Sequence, residues 1–251
     1  MAKLIILGSS SAIPNTKHAN AHFVVKAEKK CILVDCVGSS IVRLEQVGLD
    51  FRDLTDLFLT HFHPDHVSGL PLLLMNMWLL GRQQILHVYG LHSTIDKAEK
   101  MMALFQWQNW PDFFPVAFHR LPAEEMTLAL DDDEFRIFTS PVQHLIPTMG
   151  LRIEILENEK TIAYSCDTEP SPAVENLAAG ADVLLHEATG ETRGHSSAAQ
   201  AGDVAHKAQA KSLYLIHYDA RNADLDQLLI DAGQTFGGKV ALATDFMEID
   251  V

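Results

Sequence analysis

The chain has 251 residues, 47% of them hydrophobic and 21% charged, which is long enough for a substantial core and an ordinary globular balance. The formal net charge of −14 sets a global field that repels phosphate polymers, without excluding a nucleic-acid substrate, because dications in a cleft would reverse the local sign. No apolar run approaches the ~18 residues of a membrane span, and Leu70–Leu80 is interrupted by Pro71 and Asn76.

The N-terminus, MAKLIILGSSSAIP, carries one lysine and a short apolar stretch, well short of a signal peptide. Three cysteines, Cys31, Cys36 and Cys166, make an odd set in a long chain. That fits a reducing cytoplasm better than a disulfide framework.

In chain order, periodicity predicts strands at Leu4–Gly8, His22–Val25, Cys31–Asp35, Leu57–Thr60 and Ile85–Tyr89 in the first half. Further strands follow at Phe135–Thr139, Leu151–Ile155, Thr161–Ser165, Val183–His186, Leu213–His217 and Val240–Ala243. Helical patterns fall at Ser40–Val47, Pro71–Leu80, Thr94–Phe105, Ser197–Ala208 and Asp224–Thr235. Consecutive strands followed by alternating strands and helices predict a mixed α/β fold with layered sheets, in one domain over 1–251.

The most informative segment is Thr60-His61-Phe62-His63-Pro64-Asp65-His66. It follows the buried strand pattern Leu54–Leu59, and Pro64 suits the first position of a helix, where its missing N–H costs nothing. Two histidines at i and i+2 past a strand end can address one ion, and the Asp and His just beyond the proline can address a second. Three more candidate ligands lie past predicted strand ends: His144, Asp167 and His217. Singly each is weak, because a lone His is more often structural and an Asp before Thr is usually a turn residue. Together they make seven N/O donors of the kind that favour Zn²⁺, with Mn²⁺ and Fe²⁺ as alternatives.

With these residues the chain resembles the metallo-β-lactamase superfamily, an αββα sandwich with a dinuclear site along one edge. Further segments are similar to its ribonuclease Z (tRNA 3′-processing) branch: Leu7–Pro14, Leu33–Cys36, Val67–Pro71, Val88–Gly90 and Leu185–Thr189. So is Gly194-His195-Ser196. The resemblance implies His61, His63 and His144 on one metal, Asp65, His66 and His217 on the other, and Asp167 bridging. Two dications ~3.5–4 Å apart hold a hydroxide at neutral pH and stabilise a phosphorane and its leaving oxygen. The candidate catalytic residues are Asp65, His195 as proton donor and Glu187 as its orienter, with Asp35 accepting an N–H from a ligand histidine. Asp35 reads equally well as a turn cap, Glu187 as a surface carboxylate, and His195 as part of a helix cap beside Ser196.

The departures bear on substrate. Bacterial ribonuclease Z carries a long tRNA-gripping arm between the positions of His144 and Asp167, where this chain has room for two strands and a turn only. The family's glycine-aspartate-threonine reads Cys166-Asp167-Thr168, and Arg221 is the remaining candidate phosphate contact. These features predict a phosphodiesterase or endoribonuclease acting on a small or flexible phosphodiester; RNA stays open, and structured tRNA is disfavoured. The alternative is a hydrolase of a carbonyl or sulfate ester (lactone, thioester, aryl sulfate) on the same metals. A third reading, a scaffold that keeps metal only for folding, sits badly with a full ligand set. The aromatic stretch Leu104–Pro115 reads as core, as an apolar wall over the cleft, or as a homodimer contact. His18, His22, His87, His92, His119 and His206 read as structural or surface residues, with His18 and His22 as candidates for lining the cleft.

Overall fold

Most strands carry apolar side chains on both faces, so each sheet must be covered twice. In β1 (Lys3–Gly8), Leu4 and Ile6 join one buried cluster while Ile5 and Leu7 join another, as the two-residue period of a strand requires. The structure, a computed structural model, describes residues 2–251.

After β1 come β2 (His22–Lys26), β3 (Cys31–Val34), α1 (Ser40–Gln46), β4 (Asp56–Phe58), α2 (Pro64–Val67), α3 (Leu70–Leu79), β5 (Leu86–Leu91), α4 (His92–Leu104) and β6 (Val116–Leu121). The second half holds β7 (Thr127–Asp131), β8 (Phe135–Val142), β9 (Thr148–Ile155), β10 (Lys160–Tyr164), α5 (Pro172–Leu177), β11 (Val183–Glu187) and α6 (Ala198–Lys207). It ends with β12 (Ser212–Ile216), α7 (Leu225–Phe236), β13 (Lys239–Leu242) and β14 (Glu248–Asp250).

Two seven-stranded sheets result, ordered β14-β1-β2-β3-β4-β5-β6 and β13-β12-β11-β10-β9-β8-β7. One apolar cluster fills the space between them, where Phe23 meets Tyr164 edge to face with ring centroids 5.0 Å apart. A second cluster joins the first sheet to α1, α3 and α4, and a third joins the other sheet to α5, α6 and α7. The architecture is the expected αββα sandwich. Truncating Phe23, which is fully buried, is worth about 3–5 kcal/mol by the usual cost of a large-to-small core change.

The predicted strands and helices all form, with ends shifted by one to a few residues. Pro64 occupies the start of α2 as expected, and residues between His144 and Asp167 hold only β9 and β10. Three strands escaped the sequence pattern. β6 and β7 close the sheets at one side and β14 at the other; half-exposed edge strands lack a clean alternation, and β14 is only three residues long.

The aromatic stretch packs mainly as core. Phe114 is buried, Trp107, Trp110 and Phe113 lie against the α3–α4 cluster, and Trp110 stacks on Trp78. Leu104 and Phe105 are left exposed.

Candidate metal centre

The candidate site residues arrive from separate strands that end at one edge of the sandwich. Asp35 follows β3, His61 follows β4, His144 follows β8, Asp167 follows β10, Glu187 is the last residue of β11, and His217 follows β12. Turning out of a strand at once strains the backbone: Asp35, Cys166 and His217 have φ of 61°, 52° and 53°, in the left-handed region. Such geometry costs on the order of 1–3 kcal/mol per residue and concentrates at functional sites.

Among the described residues four overlapping donor groups converge, two of them being His61, His66 and Cys166, and Asp167, His195 and His217; the other two match the expected sets. His61, His63, His144 and Asp167 form one, and Asp65, His66 and His217 form the other. His61 Nε2 lies 2.9 Å and His144 Nε2 3.2 Å from His63 Nδ1. Asp167 reaches both sets: its Oδ2 is 3.9 Å from His61 Nε2 and 3.6 Å from His66 Nε2, and its Oδ1 is 3.4 Å from His217 Nε2. Asp65 Oδ2 stands 3.7 Å from His66 Nε2 and 3.5 Å from His217 Nε2.

The outer ring nitrogens of His61, His66, His144 and His217 are occupied. His66 Nδ1–H donates to Asp35 at 2.7 Å, His61 Nδ1 faces Thr60 Oγ1 at 3.1 Å, His144 Nδ1–H donates to the Gly194 carbonyl at 2.6 Å, and His217 Nδ1 meets Thr189 Oγ1 at 2.8 Å. This fixes the tautomer so that the Nε2 atoms of these four present a lone pair inward, the arrangement that metal-binding histidines use; His63 turns its Nδ1 inward instead. Three of the inward atoms, His66 Nε2, His217 Nε2 and Asp167 Oδ1, are buried without a hydrogen-bond partner. Buried orphans are rare in folded proteins, and a cation shared by these atoms satisfies them all. The residues therefore fit a metal.

Electrostatics point the same way. Burial alone favours uncharged groups, and it drives His61 and His63 below the ordinary imidazole pKa. Burial works against the charged form of Asp167 too, but His217, His66 and His61 hold its carboxyl well below the usual range. At Asp65, burial is outweighed by the hydrogen bond and charge of His217 and by His66. At His66, burial is overcome by Asp167 and Asp35, which push it well above the ordinary value. The pocket thus calls for positive charge between His66, Asp65 and Asp167.

One carboxylate serves both donor groups. Asp35, fully buried, accepts from His66 and from the Thr60 hydroxyl and amide at 2.9 Å, and that hydroxyl lies against His61. Glu187, also fully buried, is an organiser rather than a surface carboxylate. It accepts from the Thr168, Ser196 and Thr189 amides and from His195 Nδ1–H at 2.9 Å. Ser197, not His195, caps α6, in a capping box with Gln200. The His195 ring lies 4.9 Å from that of His144 and stacks 5.9 Å from that of His217. Burial disfavours its imidazolium, yet Glu187, helped by Asp167 and Asp65, raises its pKa.

A cavity of about 450 Å³ opens over these groups, its lining combining the apolar Ala12, Ile13 and Pro64 with His63, Asp65, Asp167, His195, His217 and Asp219. No lysine or arginine lines it. Arg221 instead donates to the Pro14 carbonyl and braces the loop that carries Ile13. His18 bonds Ser9, His22 is buried against the Asn20 carbonyl, and the aromatic stretch lies elsewhere, so none of them lines this cavity. The seven expected ligands, His195 and Glu187 all come together. Thr60, Thr189 and Gly194 were not singled out, and their one sequence signal is adjacency to a ligand or to a catalytic candidate.

A sandwich with this His/Asp edge defines a metal-dependent hydrolase of the metallo-β-lactamase fold. The chain belongs to the family described as anti-Pycsar protein Apyc1, whose profile matches residues 2–236. It is similar to the ribonuclease Z of Parabacteroides distasonis, 26% identical over 301 aligned positions that cover 98% of each chain. That alignment is longer than the 251 residues present here, so the relative carries extra segments. Among solved structures, human tRNase Z, short form, is similar at a TM-score of 0.80 and 26% identity, covering 99% of this chain and 98% of that one. The Bacillus subtilis metallo-β-lactamase fold protein YhfI superposes at 0.83 with 20% identity, covering 99% and 98%. No helix among the described residues is long and apolar enough to cross a membrane.

Proposed function

We propose that the chain is a dinuclear phosphodiesterase that hydrolyses small or flexible phosphodiesters. One observation carries this reading: an imidazole held toward its charged form by a buried carboxylate, His195 on Glu187, stands against the groups that gather around Asp167. A bound metal pair, zinc by the donor set, supplies a nucleophile ionised at neutral pH and positive charge for the phosphoryl group.

The protein's own groups do the rest. Glu187 accepts the Nδ1–H of His195 and favours the imidazolium, whose Nε2–H is then available for donation to the departing oxygen. His61, His63 and His144 with Asp167 hold one ion; Asp65, His66 and His217 with the same Asp167 hold the other. Ala12, Ile13 and Pro64 give the cavity apolar lining for one arm of the diester.

The substrate limit follows from charge and size. With Asp65, Asp167 and Asp219 but no lysine or arginine in the cavity lining and a net charge of −14, attraction of phosphate depends mainly on the metals. The short β9–β10 connection leaves no arm to grip structured tRNA. RNA remains a substrate only where it is flexible.

The test is hydrolysis of bis-p-nitrophenyl phosphate by Zn²⁺- or Mn²⁺-loaded protein beside lactone and aryl sulfate controls, with metal counted on the same sample. Phosphodiester turnover with two metals per chain is expected. Two metals with turnover only on a carbonyl or sulfate ester would overturn the phosphodiesterase reading.

A further inference from the structure

The backbone of Gly194 links the candidate metal ligand His144 to His195. Its carbonyl accepts the Nδ1–H of His144 at 2.6 Å, and the next residue along the chain is His195. Its amide donates to Glu169 Oε1 at 2.7 Å. This backbone has little room to move. Gly194 sits at φ 81°, and a Cβ there would lie 3.0 Å from His144 Nδ1 and from Leu145 Cγ. Glu169 is anchored independently of its carboxylate: its amide donates to the Gln143 carbonyl at 2.8 Å, an isolated bridge beside His144, and its carbonyl accepts from Thr168 Oγ1 at 2.7 Å. The second carboxylate oxygen accepts weakly from Gln143 Nε2 at 3.3 Å.

We propose that Glu169 is a positioning residue that, by clamping the backbone at Gly194, sets together the orientation of His144 and the placement of His195. The inference rests on the phosphodiesterase reading for its catalytic half and on the ligand assignment of His144 for its metal half. The physical reason is that two rigid peptide planes meet at the Gly194 Cα: the N–H held by Glu169 lies in the plane shared with Arg193, and the carbonyl held by His144 lies in the plane shared with His195. Loss of the Glu169 acceptor frees the Gly194 N–H to turn toward water, which releases the backbone at Gly194 and, through its Cα, the Gly194–His195 peptide that carries the carbonyl. A ligand histidine whose outer N–H loses its partner loses its fixed tautomer, and such changes typically weaken metal binding or activity by about 10–100-fold. The displacement of His195 has a distinct signature. Nitrophenolate leaves without much need of a proton, whereas a sugar alkoxide needs one.

The experiment compares wild type, Glu169→Ala and Glu169→Gln in two ways. Metal affinity is measured by chelator competition, and kcat on bis-p-nitrophenyl phosphate is compared with kcat on a dinucleoside phosphate. Glu169→Gln keeps an acceptor oxygen for Gly194, and the Gln143 amide can turn to suit its new neighbour, so it is expected to behave as wild type. Glu169→Ala keeps the backbone bridge to Gln143. It is expected to bind metal at least about tenfold more weakly, and at saturating metal to lose several times more activity on the alkoxide substrate than on the nitrophenyl one. Equal losses on the two substrates would overturn the link to His195, and unchanged metal affinity would overturn the link to His144. Wild type with no turnover of any phosphodiester would sink the phosphodiesterase reading, and the clamp would then stand or fall on metal affinity alone.

Discussion

Replacing Asp35 by Asn removes little more than one charge and one acceptor, which makes it a sharp probe of the metal centre. Asn tolerates the left-handed backbone at this position better than other residues, where φ is 61°. The carboxylate accepts from Thr60 N and Oγ1 through Oδ1 and from His66 Nδ1–H through Oδ2, and it is fully buried. An amide can present only one oxygen. If the oxygen faces Thr60, the new NH₂ opposes His66 Nδ1–H. The imidazole must then move its proton to Nε2, the atom aimed at the metal, and that tautomer cannot coordinate. If the amide is flipped, its NH₂ opposes the Thr60 amide, and a buried donor is left unpaired at a cost of about 1–3 kcal/mol. Either way the variant is expected to bind metal about 10–100-fold more weakly, equivalent to about 1.4–2.8 kcal/mol. The loss should fall mainly on the ion held by Asp65, His66 and His217. The assay is chelator competition with metal counted per chain, alongside circular dichroism to show that the fold persists. Asp35→Asn protein that loads two metals at wild-type affinity would refute the orienting role.

His195→Ala should keep its full metal content and lose phosphodiester turnover by about 10²–10⁴-fold, whereas Asp167→Ala, which removes the carboxylate common to both donor groups, should lose metal as well; full activity in His195→Ala would rule out the proton-donor assignment. In metal-free protein, the His195 imidazole should titrate above its ordinary value of 6.5 by NMR, because Glu187 overcomes the effect of burial; in Glu187→Gln burial should prevail and carry it below 6.5. For the same reason the stability contributed by this pair is fully present below the unfolded-state pKa of about 6.5 and is lost as pH rises through the higher folded value, so thermal unfolding of wild type, but not of Glu187→Gln, should lose that increment above neutral pH.

The sequence by itself determined the parts that depend on neighbours in the chain. Thr60 to His66 is a contiguous ligand run because a strand end, a tight loop and a proline-started helix lie in one short segment, and such local geometry is written in spacing. The inner strands were legible because both of their faces are buried, whereas β6, β7 and β14, half-solvated at the edges, were not. His144, Asp167 and His217 could be recognised only as polar residues past strand ends, each with an ordinary explanation of its own.

Only the tertiary structure decided which ring nitrogen each histidine presents, because the partners that fix the tautomers often come from elsewhere in the chain. Asp35 meets His66 from another strand end, and Gly194 meets His144 from a loop far along the sequence. It also decided that Glu187 is buried under four N–H donors rather than solvated. Arg221 braces a loop instead of facing phosphate. Hydrogen bonds across the sheet edge depend on strand order and register, which set distances between segments that no local pattern encodes.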